Sequence, residues 1–286
     1  MTGIRDLPPL RDVLHRYGLT ANKNFGQHFL FDLNLTDKIA RLAAPHDTIV
    51  EIGPGPGGLT RSLLMAGTGR LIAIEKDRRF IPVLKEIEKV APGALTIVEG
   101  DALKIDIGQI SNDYPLRICA NLPYNVGTKL LINWLTASPV FWDRLVVMLQ
   151  KEVAERIVAK AGDNAYGRLA VLASSVATPH LAFDVPARAF TPPPKVDSAV
   201  VVLDVLPPDD RFTDLDTLAR ITETAFGQRR KMLRKSLRPL AKRWNICLET
   251  WLDTANVAPD IRPEVLDIAG FHSLVRVAKA LTQARS

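Results

Sequence analysis

Cysteine is scarce in this chain of 286 residues, which contains only Cys119 and Cys247. Two cysteines so far apart in sequence form neither a Cys-x-x-Cys metal or redox motif nor a disulfide framework. No apolar run approaches the roughly 20 residues that a membrane helix needs. The opening residues also lack the apolar core of a signal peptide. These absences predict a cytoplasmic protein that makes no membrane contact.

Net charge is also small, because Lys and Arg number 37 and Asp and Glu number 31, which gives +6. The excess is concentrated in one stretch, 228–247, which contains eight basic residues and no acidic residue. The rest of the chain is therefore close to neutral. A basic total of this size is compatible with a nucleic-acid partner but does not require one.

Short runs of β-branched residues alternate with amphipathic helical stretches over most of the chain. Strands separated by helices indicate βαβ units and a parallel sheet. The predicted strands cover 48–52, 71–74, 95–98, 116–120, 145–149 and 198–203. After the prolines at 207–208, apolar residues at helical spacing over 215–237 and 248–280 replace the strand signals. We therefore predict an α/β fold, with an N-terminal arm and Rossmann-like domain over 1–206 and a smaller all-helical domain over 207–286.

A glycine-rich turn follows the first predicted strand and opens a helix, with Gly53, Gly55 and Gly58 in the spacing G-x-G-x-x-G. Glycines let the backbone approach a ligand closely, and the N-terminus of the following helix presents free N–H groups. This spacing alone is a weak signal for a dinucleotide. Pro54 and Pro56 remove two N–H donors that a pyrophosphate would use, which favours a ligand without phosphates.

An acidic residue follows each of the next two predicted strands, Glu75 after the second and Asp101 after the third. In doubly wound folds an acid in the position of Glu75 accepts hydrogen bonds from ribose hydroxyls. The carboxylate of Asp101 can accept one from an adenine amino group. Because the carboxyl ends of parallel strands meet at one edge of the sheet, these features predict a nucleoside without phosphates, with S-adenosylmethionine as the leading candidate. The alternative for either acid is an ordinary solvated strand end.

The tetrapeptide Asn121-Leu122-Pro123-Tyr124 ends the fourth predicted strand, at the same edge of the sheet. An exocyclic amine on a base is a poor nucleophile because its lone pair is delocalised into the ring. An Asn side-chain oxygen and the Leu122 carbonyl can accept hydrogen bonds from that amine and direct its lone pair at a methyl sulfonium, while Pro123 stiffens the loop. Tyr124 can stack on a flipped base, and Phe190 can form the opposite wall. The alternative is an ordinary turn with a packed tyrosine.

Methylation of a pyrimidine carbon would instead require a cysteine nucleophile. Cys119 lies near the tetrapeptide but inside a predicted strand, so we interpret it as a small core residue. No grouping of His, Asp and Glu in the sequence predicts a metal site. The predicted chemistry therefore rests on hydrogen bonding and orientation.

Seven short blocks stand out along the chain. They are 25–30 (FGQHFL), 51–55 (EIGPG), 100–102 (GDA), 121–124 (NLPY), 148–153 (MLQKEV), 165–169 (AYGRL) and 190–200 (FTPPPKVDSAV). In this order they closely resemble the KsgA-type ribosomal RNA adenine dimethyltransferases. The resemblance implies transfer of two methyl groups from S-adenosylmethionine to N6 of each of two adjacent adenosines. These adenosines lie near the 3′ end of small-subunit (16S) rRNA, in an immature subunit late in its biogenesis.

The resemblance also assigns residues by position. The donor would contact His28, Leu30, Gly53, Glu75, Asp101 and Asn121, in addition to the turn residue Gly55. The base would contact Asn121, Leu122 and Tyr124, with Phe190 stacking on it. Family members often have Asn where this chain has His28, and a histidine contact to the donor's carboxylate would depend on pH. The surrounding segment 22–30 is expected to fold over the donor.

The basic stretch carries a helical pattern of its own. Leu233, Leu237 and Leu240 are expected to face inward, with Pro239 ending or kinking the helix near Arg238. Six basic residues are predicted to contact rRNA phosphates: Arg229, Arg230, Lys231, Arg234, Lys235 and Arg238. The alternative is a solvated helix face without a ligand.

Three other functions stay open from the sequence. An antibiotic-resistance methyltransferase acting on large-subunit rRNA would share the glycine turn and an Asn-x-Pro-[Tyr/Phe] motif, although the block 190–200 favours the small-subunit enzyme. A ribosome-assembly factor would depend on binding more than on methylation. A nicotinamide-dependent oxidoreductase would fit the glycine spacing but not the two prolines of the turn. Nothing in the sequence indicates an obligate dimer, so a monomer is the default expectation.

Overall fold

The computed structural model describes residues 3–21 and 26–283, and the chain divides into two compact units. The first unit comprises the residues up to Leu131, Phe141–Ala154 and His180–Val205; the second comprises Ile132–Val140, Glu155–Pro179 and the chain from Leu206 onward. The predicted helical region therefore lies within one unit, which also contains two earlier segments. The predicted domain boundary at 206/207 stays a prediction.

The strands of the described residues form one large sheet and one small ladder. They are β1 (Phe29–Leu30), β2 (His46–Ile52), β3 (Thr68–Glu75), β4 (Leu95–Glu99), β5 (Leu116–Asn121), β6 (Trp142–Gln150), β7 (Ala177–Val185), β8 (Phe190–Thr191) and β9 (Ser198–Val205). Seven of them make a sheet in the order β4-β3-β2-β5-β6-β9-β7, and β1 pairs with β8. The pairs from β4 to β6 are parallel and β6 with β9 is antiparallel. The predicted α/β fold is confirmed.

Helices connect the strands and make up most of the second unit. They are α1 (Leu10–Arg16), α2 (Leu33–Ala43), α3 (Gly58–Met65), α4 (Ile81–Val90), α5 (Gly127–Leu135), α6 (Lys151–Val158), α7 (Arg168–Val176), α8 (Leu215–Gly227), α9 (Leu233–Ser236), α10 (Arg238–Arg243), α11 (Leu248–Thr254) and α12 (Ile268–Gln283). Within the described ranges, none of these helices combines the length and the apolar character that crossing a bilayer requires.

The central strands are apolar on both faces, which is why their sequences show no alternation. Ile49 and Val50 of β2 are fully buried, and Ile52 is 4% exposed. Parallel strands covered on both sides are nearly continuous hydrophobic runs, unlike strands with one wet face. Glu51, in the middle of this run, is the exception: a carboxyl group that is only 1% exposed.

The strand order reverses between β2 and β5. β3 and β4 extend the sheet from one side of β2, and the chain then returns to place β5 on the other side. At such a reversal the connections leave in opposite directions and open a crevice at the carboxyl ends of the strands. Gly53 follows β2 and Asn121 ends β5, so the glycine turn and the tetrapeptide flank this crevice.

The basic stretch of the second unit is less regular than its apolar spacing predicts. Helix α8 ends at Gly227, and a turn follows in which the N–H of Lys231 donates to the carbonyl of Gln228 at 2.8 Å. Pro239 lies in the first turn of α10, where a missing N–H costs no intrahelical hydrogen bond. The basic stretch is expected to form a helix that ends or kinks near Arg238; instead it forms a turn and two short helices.

Candidate active site

The turn after β2 depends on glycine for two separate reasons. Gly53, Gly55 and Gly57 have φ angles of 69°, 54° and 88°, a region that L side chains rarely adopt. A Cβ at Gly57 would lie 2.3 Å from Cδ1 of Ile87, so α4 packs against the turn. A Cβ at Gly53 would meet no atom within 4 Å. The turn therefore leaves open space beside Gly53, where a ligand can approach the backbone.

Glu75 ends β3 beside this turn and is 5% exposed. Its Oε2 accepts a hydrogen bond from the N–H of Gly55 at 2.9 Å, and its Oε1 accepts one from the N–H of Asp77 at 2.7 Å. Burial raises the pKa of this carboxyl, and the backbone N–H groups oppose the shift. Each oxygen keeps a second lone pair, so the fixed carboxylate can still accept hydrogen bonds from ligand hydroxyls.

Asp101 follows β4 and is oriented from two sides. Its Oδ2 accepts a hydrogen bond from Nζ of Lys76 at 2.9 Å, and its Oδ1 accepts one from the N–H of Leu103 at 3.0 Å. The lysine holds the pKa of this carboxyl below its usual range. Because the ion pair is partly exposed, it adds little stability and serves mainly to orient an ionised acceptor.

Asn121 and Leu122 present two neighbouring acceptor oxygens. The Nδ2 of Asn121 donates to the carbonyl of His28 at 3.3 Å, which orients the amide and leaves Oδ1 as its other atom. Among the described residues, neither this Oδ1 nor the carbonyl of Leu122 accepts a hydrogen bond. The N–H of Leu122, by contrast, donates to the carbonyl of Met148 at 3.1 Å, which fixes the peptide. The two free oxygens can therefore accept hydrogen bonds from the two N–H groups of one amino group.

Tyr124 is held at its edge and at its face. Its hydroxyl lies 2.6 Å from Oγ of Ser198, a side chain that is fully buried. Its ring stacks on the imidazole of His28, with centroids 5.7 Å apart and planes at 30°. Burial raises the pKa of the tyrosine, so the hydroxyl stays protonated at neutral pH. These contacts fix the plane of the tyrosine ring before any base is present.

A two-residue ladder brings distant parts of the sequence into the site. Strand β1 pairs with β8, so that Leu30 lies opposite Phe190. Next to the ladder, Nδ1 of His28 lies 2.7 Å from the carbonyl of Pro192. The imidazole also meets Phe190 edge to face, with centroids 6.5 Å apart. His28, predicted as a donor contact, thus touches both of the aromatic residues that are predicted to hold the base.

All predicted catalytic and donor-binding residues line one cavity of about 250 Å³ in the first unit. They are His28, Leu30, Gly53, Gly55, Glu75, Asp101, Asn121, Leu122, Pro123, Tyr124 and Phe190. The predicted cover segment 22–30 is represented by residues 26–30, and 22–25 lie outside the described residues. The structure brings the set together, while the role of each member stays a prediction.

Glu51 is a cavity residue that the sequence analysis missed. Its Oε2 accepts a hydrogen bond from Oγ1 of Thr60 at 2.7 Å. Burial raises the pKa of this carboxyl to about 8, although the hydroxyl opposes the shift and the charge of Glu75 adds to it. The available signal was a single acid inside an apolar strand, which sequence patterns alone do not distinguish from a strand end.

Cys119 does not line this cavity, which agrees with its interpretation as a core residue. It is fully buried, and burial raises the pKa of its thiol well above the usual range. The described residues contain no group of three or more His, Cys, Asp or Glu side chains that could hold a metal ion. The groups that the cavity offers include the acceptor oxygens and aromatic rings described above.

A donor made of a nucleoside and an amino acid fits these groups. The fixed carboxylates of Glu75 and Asp101 are acceptors suited to ribose hydroxyls and an amino group. The open space beside Gly53 gives room at the strand end. Pro54 and Pro56 offer no N–H, so the turn is poorly equipped for a pyrophosphate.

The basic side chains of the second unit that are predicted to contact RNA differ in whether they already bind other residues of the protein. Arg229 donates through Nε to Oε2 of Glu264 at 2.8 Å and through Nη2 to the carbonyl of Asn164 at 2.5 Å. In the described part of the chain, the other five are exposed and form no ion pair: Arg230, Lys231, Arg234, Lys235 and Arg238. Arg229 is therefore tied into its own unit, and the remaining five can meet phosphates.

Comparison with known sequences gives one family. The ribosomal RNA adenine dimethylase family matches residues 18–277. A protein of Maricaulis maris called ribosomal RNA small subunit methyltransferase A is 53% identical over 281 residues, which cover 97% of each chain. A protein of the same name from Agrobacterium fabrum is 54% identical over 96% of this chain and 99% of its own length. The similarity thus extends over both units.

Solved structures agree with the sequence comparison. A dimethyladenosine transferase from Plasmodium falciparum superposes with a TM-score of 0.72 at 27% identity, over 86% of this chain and 96% of the other. The 23S rRNA methyltransferase ErmE superposes with a TM-score of 0.63 at 25% identity, over 88% of this chain and 99% of its own. Both covered spans exceed the length of the first unit.

Proposed function

Because this chain belongs to the ribosomal RNA adenine dimethylase family, we propose that it methylates N6 of two adjacent adenosines near the 3′ end of small-subunit rRNA. Each adenosine receives two methyl groups from S-adenosylmethionine. The family membership supports an rRNA adenine as substrate, and the names of the curated relatives support the small subunit. The adjacent pair, the 3′ end and the immature particle come from the sequence resemblance.

One observation carries the chemistry: the free Oδ1 of Asn121 beside the free carbonyl of Leu122. These oxygens can accept hydrogen bonds from both N–H groups of the adenine N6 amine. The two hydrogen bonds then hold the nitrogen lone pair out of conjugation with the ring. S-adenosylmethionine, when bound, supplies a methyl group on a sulfonium, which is already a good leaving group. Asn121 and Leu122 therefore work by orientation, which can account for a large part of a rate enhancement. The N6 nitrogen forms a bond to the methyl carbon as that carbon's bond to sulfur breaks with its electron pair left on sulfur, and the nitrogen then releases a proton to solvent.

The base is positioned by the aromatic residues of the cavity. Tyr124 can stack on the adenine because its ring is fixed by Ser198 and His28. Phe190 is 3% exposed and is held by the β1–β8 ladder, so it can close the opposite side. Flipping a base out of its stack costs a few kcal/mol, and stacking in the pocket offsets part of that cost.

The remaining partner assignments follow from the same proposal. The five exposed cations of the basic stretch are suited to phosphates of folded rRNA. The substrate is an immature small ribosomal subunit, on which the protein acts in the cytoplasm as a monomer. A role in which binding to the particle matters more than methylation would use the same stretch without the cavity.

A labelling assay tests this function. Purified protein, methyl-labelled donor and unmethylated small or large subunits are incubated, and the labelled nucleotides are identified by digestion. Label on two adjacent N6-dimethyladenosines near the 3′ end of small-subunit rRNA is expected. Label on large-subunit rRNA alone would instead support a second candidate function, methylation of large-subunit rRNA. The fold similarity to the 23S rRNA methyltransferase ErmE favours that candidate. Binding to the particle without any label would support an assembly factor.

A further inference from the structure

A second cavity lies in the first unit, outside the predicted site. It has a volume of about 470 Å³ and lies between the N-terminal segment and helices α2 and α3. Its charged lining residues are Arg5, Asp37, Arg41 and Arg61, three cations against one anion. None of them belongs to the predicted active site or to the basic stretch.

Arg61 is the unusual member of this lining. It is 6% exposed, and its Nη1 donates to the carbonyl of Pro8 at 2.8 Å. Its Nε has no hydrogen-bond partner, and it forms no ion pair within the described residues. Burial lowers the pKa of the guanidinium, with the charge of Glu86 opposing the shift. A buried cation without a paired anion is costly, and an anion in the adjoining cavity would reduce that cost.

Within the described residues, none of the other charged lining residues forms an ion pair with Arg61. Oδ1 of Asp37 already accepts a hydrogen bond from Oγ of Ser62 at 2.5 Å. The side chains of Arg5 and Arg41 are exposed and form neither an ion pair nor a hydrogen bond in the described ranges. Two exposed guanidinium groups and one buried group therefore line the cavity, against the single carboxylate of Asp37.

The rest of the lining suggests what the anion is attached to. Leu33 and Met65 line the same cavity and are 48% and 38% exposed, which is high for large apolar side chains. The cavity is larger than a single phosphate requires, and its mixed wall suits a phosphate joined to a ribose or base. Arginine forks match phosphate oxygens in geometry.

Helix α3 connects this cavity with the predicted active site. Gly58 and Leu59 line the first cavity, whereas Arg61 and Ser62 line the second. The separation along the helix is about 5 Å, roughly one turn. We propose that the second cavity binds a backbone phosphate of the RNA substrate, a few nucleotides from the methylated base. This inference rests on the proposed function, since it requires an RNA substrate.

The test reverses the two exposed cations in the double variant Arg5→Glu and Arg41→Glu, and leaves buried Arg61 intact so that the fold is kept. Binding of unmethylated small subunits is measured over a series of KCl concentrations. We expect at least tenfold weaker binding at low salt and a salt slope smaller by about one, because one phosphate contact contributes about 0.7–0.9 to the slope. Affinity for S-adenosylmethionine alone is expected to stay within twofold.

The matched control is Lys85→Glu with Lys89→Glu. Both lysines are exposed on α4, form no ion pair in the described part of the molecule, and give the same change of net charge. Equal slopes and affinities for the two double variants would overturn the proposal, since only bulk charge would then matter. A larger loss in the arginine variant supports it.

Thermal unfolding in inorganic phosphate separates a free anion from RNA. If phosphate protects the wild type and not the arginine variant, while the RNA slopes match the control, the site takes a free anion and the RNA assignment is wrong. The proposed function fails in a different way, namely when the wild type does not label small-subunit rRNA. If the wild type labels the small subunit but the two double variants have the same affinity and salt slope, the phosphate site is refuted and the proposed function stands.

Discussion

The cavity of the first unit and the basic stretch of the second unit are built on opposite principles. In the cavity, the polar groups are buried and held by named partners: Glu75 by two backbone N–H groups and Tyr124 by Ser198. In the stretch, five of six predicted contact residues are exposed and without ion pairs among the described residues. The first region is arranged for geometry and the second for net charge.

This difference sets how each region should respond to change. A preorganised group that loses one atom leaves its partners unsatisfied, so single substitutions in the cavity are expected to have large, specific effects. Exposed cations act through screened, nearly additive attraction, so single substitutions in the stretch are expected to have small effects that depend on salt. The following predictions test this contrast in order of expected size.

The largest effect is expected at Asn121. Asn121→Ala removes one of the two free acceptors, and the methyl-transfer rate should fall about 10²–10³-fold, as for the loss of one preorganised catalytic hydrogen bond. Single-turnover transfer to small subunits measures the rate, and donor affinity is measured separately. Asn112→Ala, at an exposed position outside the cavity, is the control. A loss under fivefold for Asn121→Ala would remove the acceptor role.

Sequence reasoning found this residue because strand ends are predictable from β-branched runs. The same logic located Gly53 and Glu75, each directly after a predicted strand, and Asp101, three residues after one. It could not find the β1–β8 ladder, since two-residue strands some 160 positions apart carry no periodic signal and form only through tertiary contact. Contact between His28 and both Tyr124 and Phe190 depends on that ladder. Glu51 stayed hidden because its burial is decided by neighbouring strands.

The next effect concerns Glu75 and the donor. Glu75→Gln keeps the shape but replaces a charged acceptor, and charged hydrogen bonds contribute about 1.5–3 kcal/mol. Affinity for S-adenosylmethionine should therefore fall roughly tenfold to a hundredfold, as measured by calorimetry. Glu99→Gln is a matched control, because Glu99 ends the adjacent strand β4 and pairs with Arg78 outside the cavity. Similar losses in both variants would point to a general charge effect instead.

Substitutions in the basic stretch should instead change the salt dependence of binding to the ribosomal particle. Reversal of Lys231, Arg234 and Lys235 to Glu should weaken particle binding about tenfold at moderate salt and reduce the salt slope by about two. Transfer at saturating particle concentration should change little, since the cavity is intact. Three exposed cations elsewhere, Lys85, Lys89 and Arg220, give a control variant of equal charge. An unchanged salt slope would support the alternative interpretation, in which the basic stretch is a solvated surface without a ligand.

A pH experiment sharpens the contrast, because the cavity contains a buried carboxyl group whose pKa is shifted into the neutral range. Burial raises the pKa of Glu51 to about 8 from an ordinary 4.5, so between these values the folded state binds more protons than the unfolded state. Stability should then fall as pH rises, by about 1.4 kcal/mol per unit between pH 6 and 7. Glu51→Gln removes this dependence, and Glu249→Gln, at an exposed position, should not. Parallel stability curves for wild type and Glu51→Gln would contradict the burial argument.

The smallest effect tests how rigidly the cavity is built. Tyr124→Phe and Ser198→Ala each remove the same 2.6 Å hydrogen bond. Each should raise the activation free energy of methyl transfer by about 0.5–1.5 kcal/mol, which slows the reaction roughly twofold to tenfold. If the bond acts only by positioning the ring, the double variant should be no slower than either single variant, because the second change has nothing left to remove. Donor affinity should stay constant throughout. Additive losses would show that Ser198 and Tyr124 act independently, and the cavity would then resemble the basic stretch more closely than its contacts indicate.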